Sequence, residues 1–117
     1  MYKFEKLKVW HEILNLIKLV YDIINQLPNS ERYGLADQLR RSVVSIALNL
    51  AEGCAANGDK EFRSFIRISI KSQYETVAGL KIIESLYPKV DITKALNQSE
   101  IVGKMLHGLL RSIKSND

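Results

Sequence analysis

The chain has little cysteine and proline, and these scarcities exclude two kinds of structure. Its 117 residues include one cysteine, Cys54, so an internal disulfide and a thiolate zinc cluster are excluded. The two prolines, Pro28 and Pro88, lie where the apolar periodicity stops, and no low-complexity tract or charge block indicates a linker. We therefore expect one domain over residues 1–117.

Long apolar runs are also missing, which bears on membranes and export. The most apolar segment, residues 9–27, is interrupted by polar residues such as His11, Lys18 and Asp22, so it does not predict a membrane-spanning helix. The first ten residues, MYKFEKLKVW, hold no apolar core of a signal peptide. We expect a cytoplasmic protein without a membrane partner.

Residue patterns for catalysis are absent as well. His11 and His107 fall on different predicted helices, with no cysteine or carboxylate at metal-ligand spacing. No serine, cysteine or lysine has a visible base partner, and Glu52 and Glu75 fall at different levels of the predicted bundle. The sequence predicts no catalytic residue, no metal site and no cofactor, and we expect the chain not to be an enzyme.

Four segments carry the apolar period of amphipathic helices, at about residues 6–27, 33–56, 60–87 and 92–115. Their short connections favour antiparallel neighbours. The fold class predicted is therefore all-α, an antiparallel up-down-up-down four-helix bundle.

The stretch SIALNLAEGCAANGDKEF, residues 45–62, has two glycines followed by Lys60, which raises the question of a phosphate-binding loop. Such a loop follows a strand and ends in Gly-Lys-Ser/Thr. Here a helical pattern comes first, and Asp59 separates Gly58 from Lys60. We interpret the stretch as a helix junction, with Gly58 at the C′ position of the second helix and Asp59 as the N-cap of the third.

The first two predicted helices carry more apolar residues than a four-helix monomer needs. In the first helix, one heptad seam includes Trp10 and Ile17, and a second includes Ile13 and Val20. The second helix is apolar on nearly all sides over residues 43–51. Since a helix that is apolar on most sides is buried on most sides, we expect further copies of the chain to cover the excess. A deeply packed second helix with a few exposed apolar residues is the alternative.

Polar residues of the second helix narrow to one line spaced 4-3-4-3. The line consists of Gln38, Ser42, Ser45, Asn49 and Glu52. We expect it to be structural, with Asn49 buried and hydrogen-bonded so that it fixes the register of the helices. Antiparallel counting from the turn at 57–59 predicts which residues are level on the second and third helices. The predicted pairs are Ser45 with Ser69, Ser42 with Ser72 or Gln73, Arg41 with Glu75, and Glu52 with Arg63.

Positive charge is concentrated at one end of the predicted bundle. The net charge is +4, and the end that holds both termini and the turn at 57–59 accounts for the whole excess, while the other end is balanced. In one subunit such residues are solvated faces, but repeated around a ring they form a candidate site for phosphate backbones. These basic residues form two stripes, on the third and fourth helices: Lys60, Arg63, Arg67, Lys71, Lys104, Arg111 and Lys114.

Three stretches carry a family resemblance: LKVWHEI (7–13), YGLADQLRRSVVSIALNLAEGCA (33–55) and KEFRSFIRISIKSQYE (60–75). They resemble the bacterial four-helix-bundle proteins encoded in intervening sequences of 23S ribosomal RNA genes, over roughly residues 3 to 114. The resemblance implies a homopentameric, barrel-like ring with no catalytic residues to carry over. It also implies a relation to accessory proteins of diversity-generating retroelements, which are basic pentamers that bind nucleic acid and a reverse transcriptase.

Two functions are consistent with these observations. The first is a non-enzymatic, ring-like homo-oligomer, expected to be a pentamer, that binds RNA or DNA through the stripes on the third and fourth helices. The second is an interaction scaffold that binds a protein partner, with the basic residues serving solubility.

Overall fold

A computed structural model describes residues 1–114 of the chain, and within that range it contains four α-helices and no strand. The prediction of an all-α chain with four helices is confirmed, although the helices begin and end inside most of the predicted limits. The last predicted residue, 115, lies outside the described range. The helices are α1 (Lys8–Ile24), α2 (Leu35–Cys54), α3 (Asp59–Leu86) and α4 (Thr93–Ser112), with 3-10 turns at Lys3–Lys6 and Asn29–Glu31.

The helices pack as a bundle in which α1 contacts α2 and α4, and α3 contacts the same two helices. The core is aliphatic, and Ile13 of the second α1 seam is fully buried. The first seam is only partly covered: Trp10 and Ile17 are half-buried, and Tyr21 is exposed. The 3-10 turn at the N-terminus covers part of this seam, since the Phe4 ring lies 4.5 Å from that of Trp10. Among residues 1–114, no helix is both long and apolar enough to cross a membrane.

The junction between α2 and α3 differs from the prediction by two positions at the end of α2 and by one at the start of α3. Helix α2 ends at Cys54, so Gly58 is the N-cap of α3 and Asp59 is its first residue. Gly58 has a φ of 92°, a backbone conformation that residues with a Cβ atom rarely adopt. The junction is therefore a helix start, as expected, but the capping roles assigned to Gly58 and Asp59 were wrong.

The register between α2 and α3 is set by hydroxyl groups. Ser45 Oγ lies 2.9 Å from Ser72 Oγ, and Ser42 Oγ lies 3.0 Å from Thr76 Oγ1. Ser69 Oγ donates to the backbone oxygen of Ile46. The pairs of residues predicted to lie at the same height on α2 and α3 were wrong by about one helical turn. The first turn of α3 extends past the end of α2, so each α2 residue has a partner about one turn further along α3 than predicted.

Candidate nucleic-acid interface

The two predicted basic stripes border one face of the bundle, formed by α3 and α4. The exposed cations of this face are hereafter called the basic face: Lys60, Arg67, Lys71, Lys104, Arg111 and Lys114. Antiparallel packing of α3 and α4 brings these cations to the same end of the bundle. Two contacts show how the helices are aligned: Gln73 Nε2 donates to the Ser99 backbone oxygen, and Arg63 donates to the Leu110 backbone oxygen. The structure thus places these six residues on adjacent helices at matching heights.

Arg63 belongs to the same stripe but supports the fold. Its Nη1 atom donates to the backbone oxygens of Leu110 at 2.6 Å and Ile113 at 2.9 Å. Carbonyl groups at the end of a helix lack intrahelical partners and carry the negative end of the helix dipole. A cation at this position donates hydrogen bonds to the free carbonyl groups and also offsets the negative end of the dipole. The Arg63 guanidinium therefore joins α3 to the end of α4. Sequence spacing gave no signal for this role, which depends on the level at which α4 ends.

Ion pairs within residues 1–114 are confined to the opposite end of the bundle. Asp37 pairs with Arg40 at 3.3 Å and with Arg41 at 3.0 Å, and Lys81 pairs with Glu84 at 3.8 Å. No cation of the basic face has a carboxylate oxygen within 4 Å in this range, so these side chains are available to an anionic partner. The predicted pairs Arg41–Glu75 and Glu52–Arg63 do not form, since Arg41 binds Asp37 and Arg63 binds α4.

Two apolar grooves lie on neighbouring faces of the bundle and share α2. The α1–α2 groove has a volume of about 530 Å³ and is lined by Tyr21, Val44 and Leu48, with Arg41 among its polar residues. The α2–α3 groove, of about 220 Å³, is lined by residues that include Leu35, Gly79, Ile82 and Glu75. Leu48 is 57% exposed and Ile82 is 48% exposed. Large contiguous patches of exposed apolar surface mark association sites.

The polar line of α2 contributes to both grooves, since its first two residues line the α2–α3 groove and its last three line the α1–α2 groove. Ser42 is buried, Ser45 and Asn49 are half-buried, and Gln38 and Glu52 are exposed. Asn49 Nδ2 donates to the backbone oxygen of Ser45 at 2.9 Å and to Ser45 Oγ at 3.0 Å. Asn49 therefore bonds within its own helix and lines the α1–α2 groove, which differs from the expected buried contact between helices.

Ionisable groups with shifted pKa values lie apart from the basic face. Burial raises the pKa of the Cys54 thiol, and the hydrogen bond to Glu31 raises the pKa of the Tyr87 phenol. Hydrogen bonds from Thr93 lower the pKa of the Asp91 carboxyl. These groups are not gathered at one place, and the described residues include no His, Cys, Asp and Glu cluster that could hold a metal ion.

These features define a class of protein, a four-helix bundle with apolar grooves on neighbouring faces and, on another face, cations that pair with no carboxylate among residues 1–114. The model of the 23S rRNA-intervening sequence protein family matches residues 5–108, and the chain belongs to this family. The resemblance to this family seen in the sequence is thereby confirmed, and the relation to accessory proteins of diversity-generating retroelements stays a prediction.

A solved structure shares the fold. It is the crystal structure of a protein with unknown function from the S23 ribosomal protein family of Bacteroides thetaiotaomicron. The two chains are 20% identical with a TM-score of 0.80, and the match covers 89% of this chain and 99% of the other. At this identity the likeness shows the fold alone. A comparison with curated proteins found no match.

Proposed function

We propose that the chain is a non-enzymatic, self-assembling protein whose pentameric ring binds nucleic acid through the basic face. The observation that carries the proposal is the separation of charge between the two ends. Asp37 pairs with both Arg40 and Arg41 at one end, whereas the cations of the basic face have no carboxylate partner within residues 1–114. Unpaired cations on one face can replace the counterions of a phosphate backbone, which is the main source of nucleic-acid affinity.

The two apolar grooves support the assembly. The two grooves have different lining residues and lie on adjacent faces. If the α1–α2 groove of one copy contacts the α2–α3 groove of the next copy, the contact is heterologous. Heterologous contacts generate a ring when the rotation between successive copies closes, as in the pentamer proposed. Charge favours this pairing too, because Arg41 at the first groove is 79% exposed and Glu75 lies in the second.

Repetition of the basic face then supplies enough contacts for useful affinity. The basic face of a single chain holds the six exposed cations named above, and a strand that follows the ring meets the same set on successive copies. Each neutralised phosphate contributes about −0.9 to the log–log salt slope on duplex DNA and about −0.7 on single strands. Both family descriptions refer to the ribosome or its RNA, which makes RNA the first ligand to test.

Charge reversal at two ends of the bundle tests the proposal. Arg67→Glu, Lys71→Glu and Arg111→Glu, combined, should abolish retention of RNA or DNA in a gel-shift assay. The matched control reverses Lys81, Lys89 and Lys94 at the balanced end and should retain most of the binding. Light scattering should give an unchanged mass for both variants. Wild-type protein that retains neither RNA nor DNA at low salt would contradict nucleic-acid binding.

A second function, an interaction scaffold, is favoured by the exposed apolar grooves themselves. If light scattering shows a stable, well-folded monomer, these grooves are open to a different protein. In that case the cations of the basic face serve solubility, and a gel shift with wild-type protein should show no nucleic-acid binding.

A further inference from the structure

Tyr74 differs from the exposed Tyr2 and Tyr33 in having no ring or cation partner within residues 1–114. It is 67% exposed, and no aromatic ring, cation or hydrogen-bonding group of this range contacts its side chain. By contrast, the Tyr2 ring stacks on Phe4 at 5.7 Å, and the Tyr33 ring has the Arg32 guanidinium over it at 5.3 Å. Both faces of the Tyr74 ring are thus left without a neighbouring ring or cation.

The position of Tyr74 continues the basic stripe of α3. It follows Lys71 by three residues and Arg67 by seven, so all three share one exposed side of the helix. Side chains three or four residues apart on a helix have Cβ atoms about 5–6 Å apart, which is within the span of one nucleotide. The next residue on this line, Ala78, is small and exposed, and it leaves the ring accessible from that side.

A cation beside an open aromatic ring matches the chemistry of single-stranded nucleic acid. Proteins that bind single strands combine a basic surface for the phosphates with aromatic side chains on which bases stack. A duplex hides the faces of its bases inside the stack, so it offers Tyr74 only backbone. The ring therefore adds affinity for single strands and none for duplexes.

We infer that Tyr74 is a base-stacking residue that directs the basic face toward single-stranded RNA or DNA. This inference rests on the proposed nucleic-acid function and adds the class of ligand to it. Lys71 and Arg67 hold the phosphates, while the phenol ring of Tyr74 packs against an unpaired base.

Fluorescence anisotropy with labelled oligonucleotides tests the inference on the full chain. The probes are a single strand, its duplex, and an abasic single strand of equal length. Tyr74→Ala should weaken binding to the single strand about tenfold, while binding to the duplex and to the abasic strand stays within about twofold of wild type. Tyr74→Phe keeps the ring and should bind as wild type, and Tyr33→Ala, at the opposite end, is the matched control.

The outcomes separate this inference from the function on which it rests. If wild-type protein binds none of the probes, both fail. If the triple reversal of Arg67, Lys71 and Arg111 removes binding but Tyr74→Ala does not weaken it, the function stands and the stacking role is wrong. An equal loss on the single strand and on the abasic strand also overturns the stacking role. Because Tyr74 is exposed, circular dichroism of the alanine variant should match wild type.

Discussion

The α2 side of the bundle and the α3–α4 side cover the same aliphatic core but expose different groups. On the α2 side Leu48 and Ile82 are about half-exposed, whereas the α3–α4 side presents Arg67 and Lys71 to solvent. Ile46 beneath the α2 side and Ile66 beneath the α3–α4 side are both fully buried. Because the core is covered equally well on both sides, its stability does not require exposed apolar residues on one side or exposed cations on the other. The two tasks proposed for the chain follow this difference, with association on the α2 side and ligand binding on the other.

Breaking the α2 side should have the largest effect. Leu48→Glu combined with Ile82→Glu places a charge in each apolar groove, where a neighbouring copy would have to bury it unpaired. We expect the assembly to dissociate to folded monomers, as measured by light scattering and circular dichroism, with loss of nucleic-acid retention. Ile101→Glu is the control, because Ile101 is 45% exposed on α4 and lies outside both grooves. An unchanged mass for the double variant would contradict association through these grooves.

A charge exchange tests whether the α1–α2 groove of one copy contacts the α2–α3 groove of the next. Arg41→Glu alone and Glu75→Arg alone should each place like charges across the contact between copies, because the first residue borders the α1–α2 groove and the second lines the α2–α3 groove. Exposed ion pairs contribute about 0.2–1 kcal/mol, so each single variant should weaken assembly about 1.4-fold to fivefold per contact. The double variant should recover the wild-type mass in a dilution series. If the two single effects simply add, the grooves do not face each other.

On the α3–α4 side, two arginines of one stripe should respond differently to removal. Arg63→Ala leaves the Leu110 and Ile113 carbonyls without their charged donor and should lower the free energy of unfolding by about 1.5–3 kcal/mol in denaturant titrations. Arg67→Ala should leave the free energy of unfolding unchanged, but should reduce the salt slope of duplex DNA binding by about 0.9 for each phosphate that Arg67 neutralises. Equal stability of the two variants would show that the Arg63 contact is not structural.

Much of the fold follows from patterns that are local in the sequence. Apolar periodicity identifies four helices, and the second seam of α1, which includes Ile13 and Val20, is the seam that the core buries. The cations of the basic face were predicted at the correct end because antiparallel helices place residues near one turn together. These features depend on spacing within a helix, which the sequence states directly.

What the sequence did not predict depends on how far one helix extends past another. Because the first turn of α3 extends past the end of α2, Ser45 contacts Ser72 and not the predicted Ser69. The same kind of offset brings Arg63 to the end of α4 instead of to Glu52. Asn49 was expected between helices because its neighbours are apolar, yet part of that apolar surface is the α1–α2 groove. Periodicity identifies an apolar side but not what covers it.

The smallest expected effect compares two buried serines, Ser69 on α3 and Ser99 on α4. Ser69 and Ser99 are both fully buried, but Ser69 Oγ donates to the Ile46 backbone oxygen at 2.9 Å, whereas Ser99 Oγ has no hydrogen-bond partner among residues 1–114. Ser69→Ala removes a hydrogen bond and should lower the free energy of unfolding by about 1 kcal/mol. Ser99→Ala removes only a buried hydroxyl that is unsatisfied, and Gln73 keeps its bond to the Ser99 backbone oxygen.

The denaturant midpoint of Ser99→Ala should therefore equal or exceed that of wild type, because burying a hydroxyl without a partner is unfavourable. The comparison also tests how α3 is held: side-chain hydroxyls join it to α2, whereas Gln73 and Arg63 reach backbone oxygens of α4. If Ser99→Ala is destabilised as much as Ser69→Ala, the Ser99 hydroxyl has a partner in solution. The α3–α4 contact would then depend on serine hydroxyls as the α2–α3 contact does.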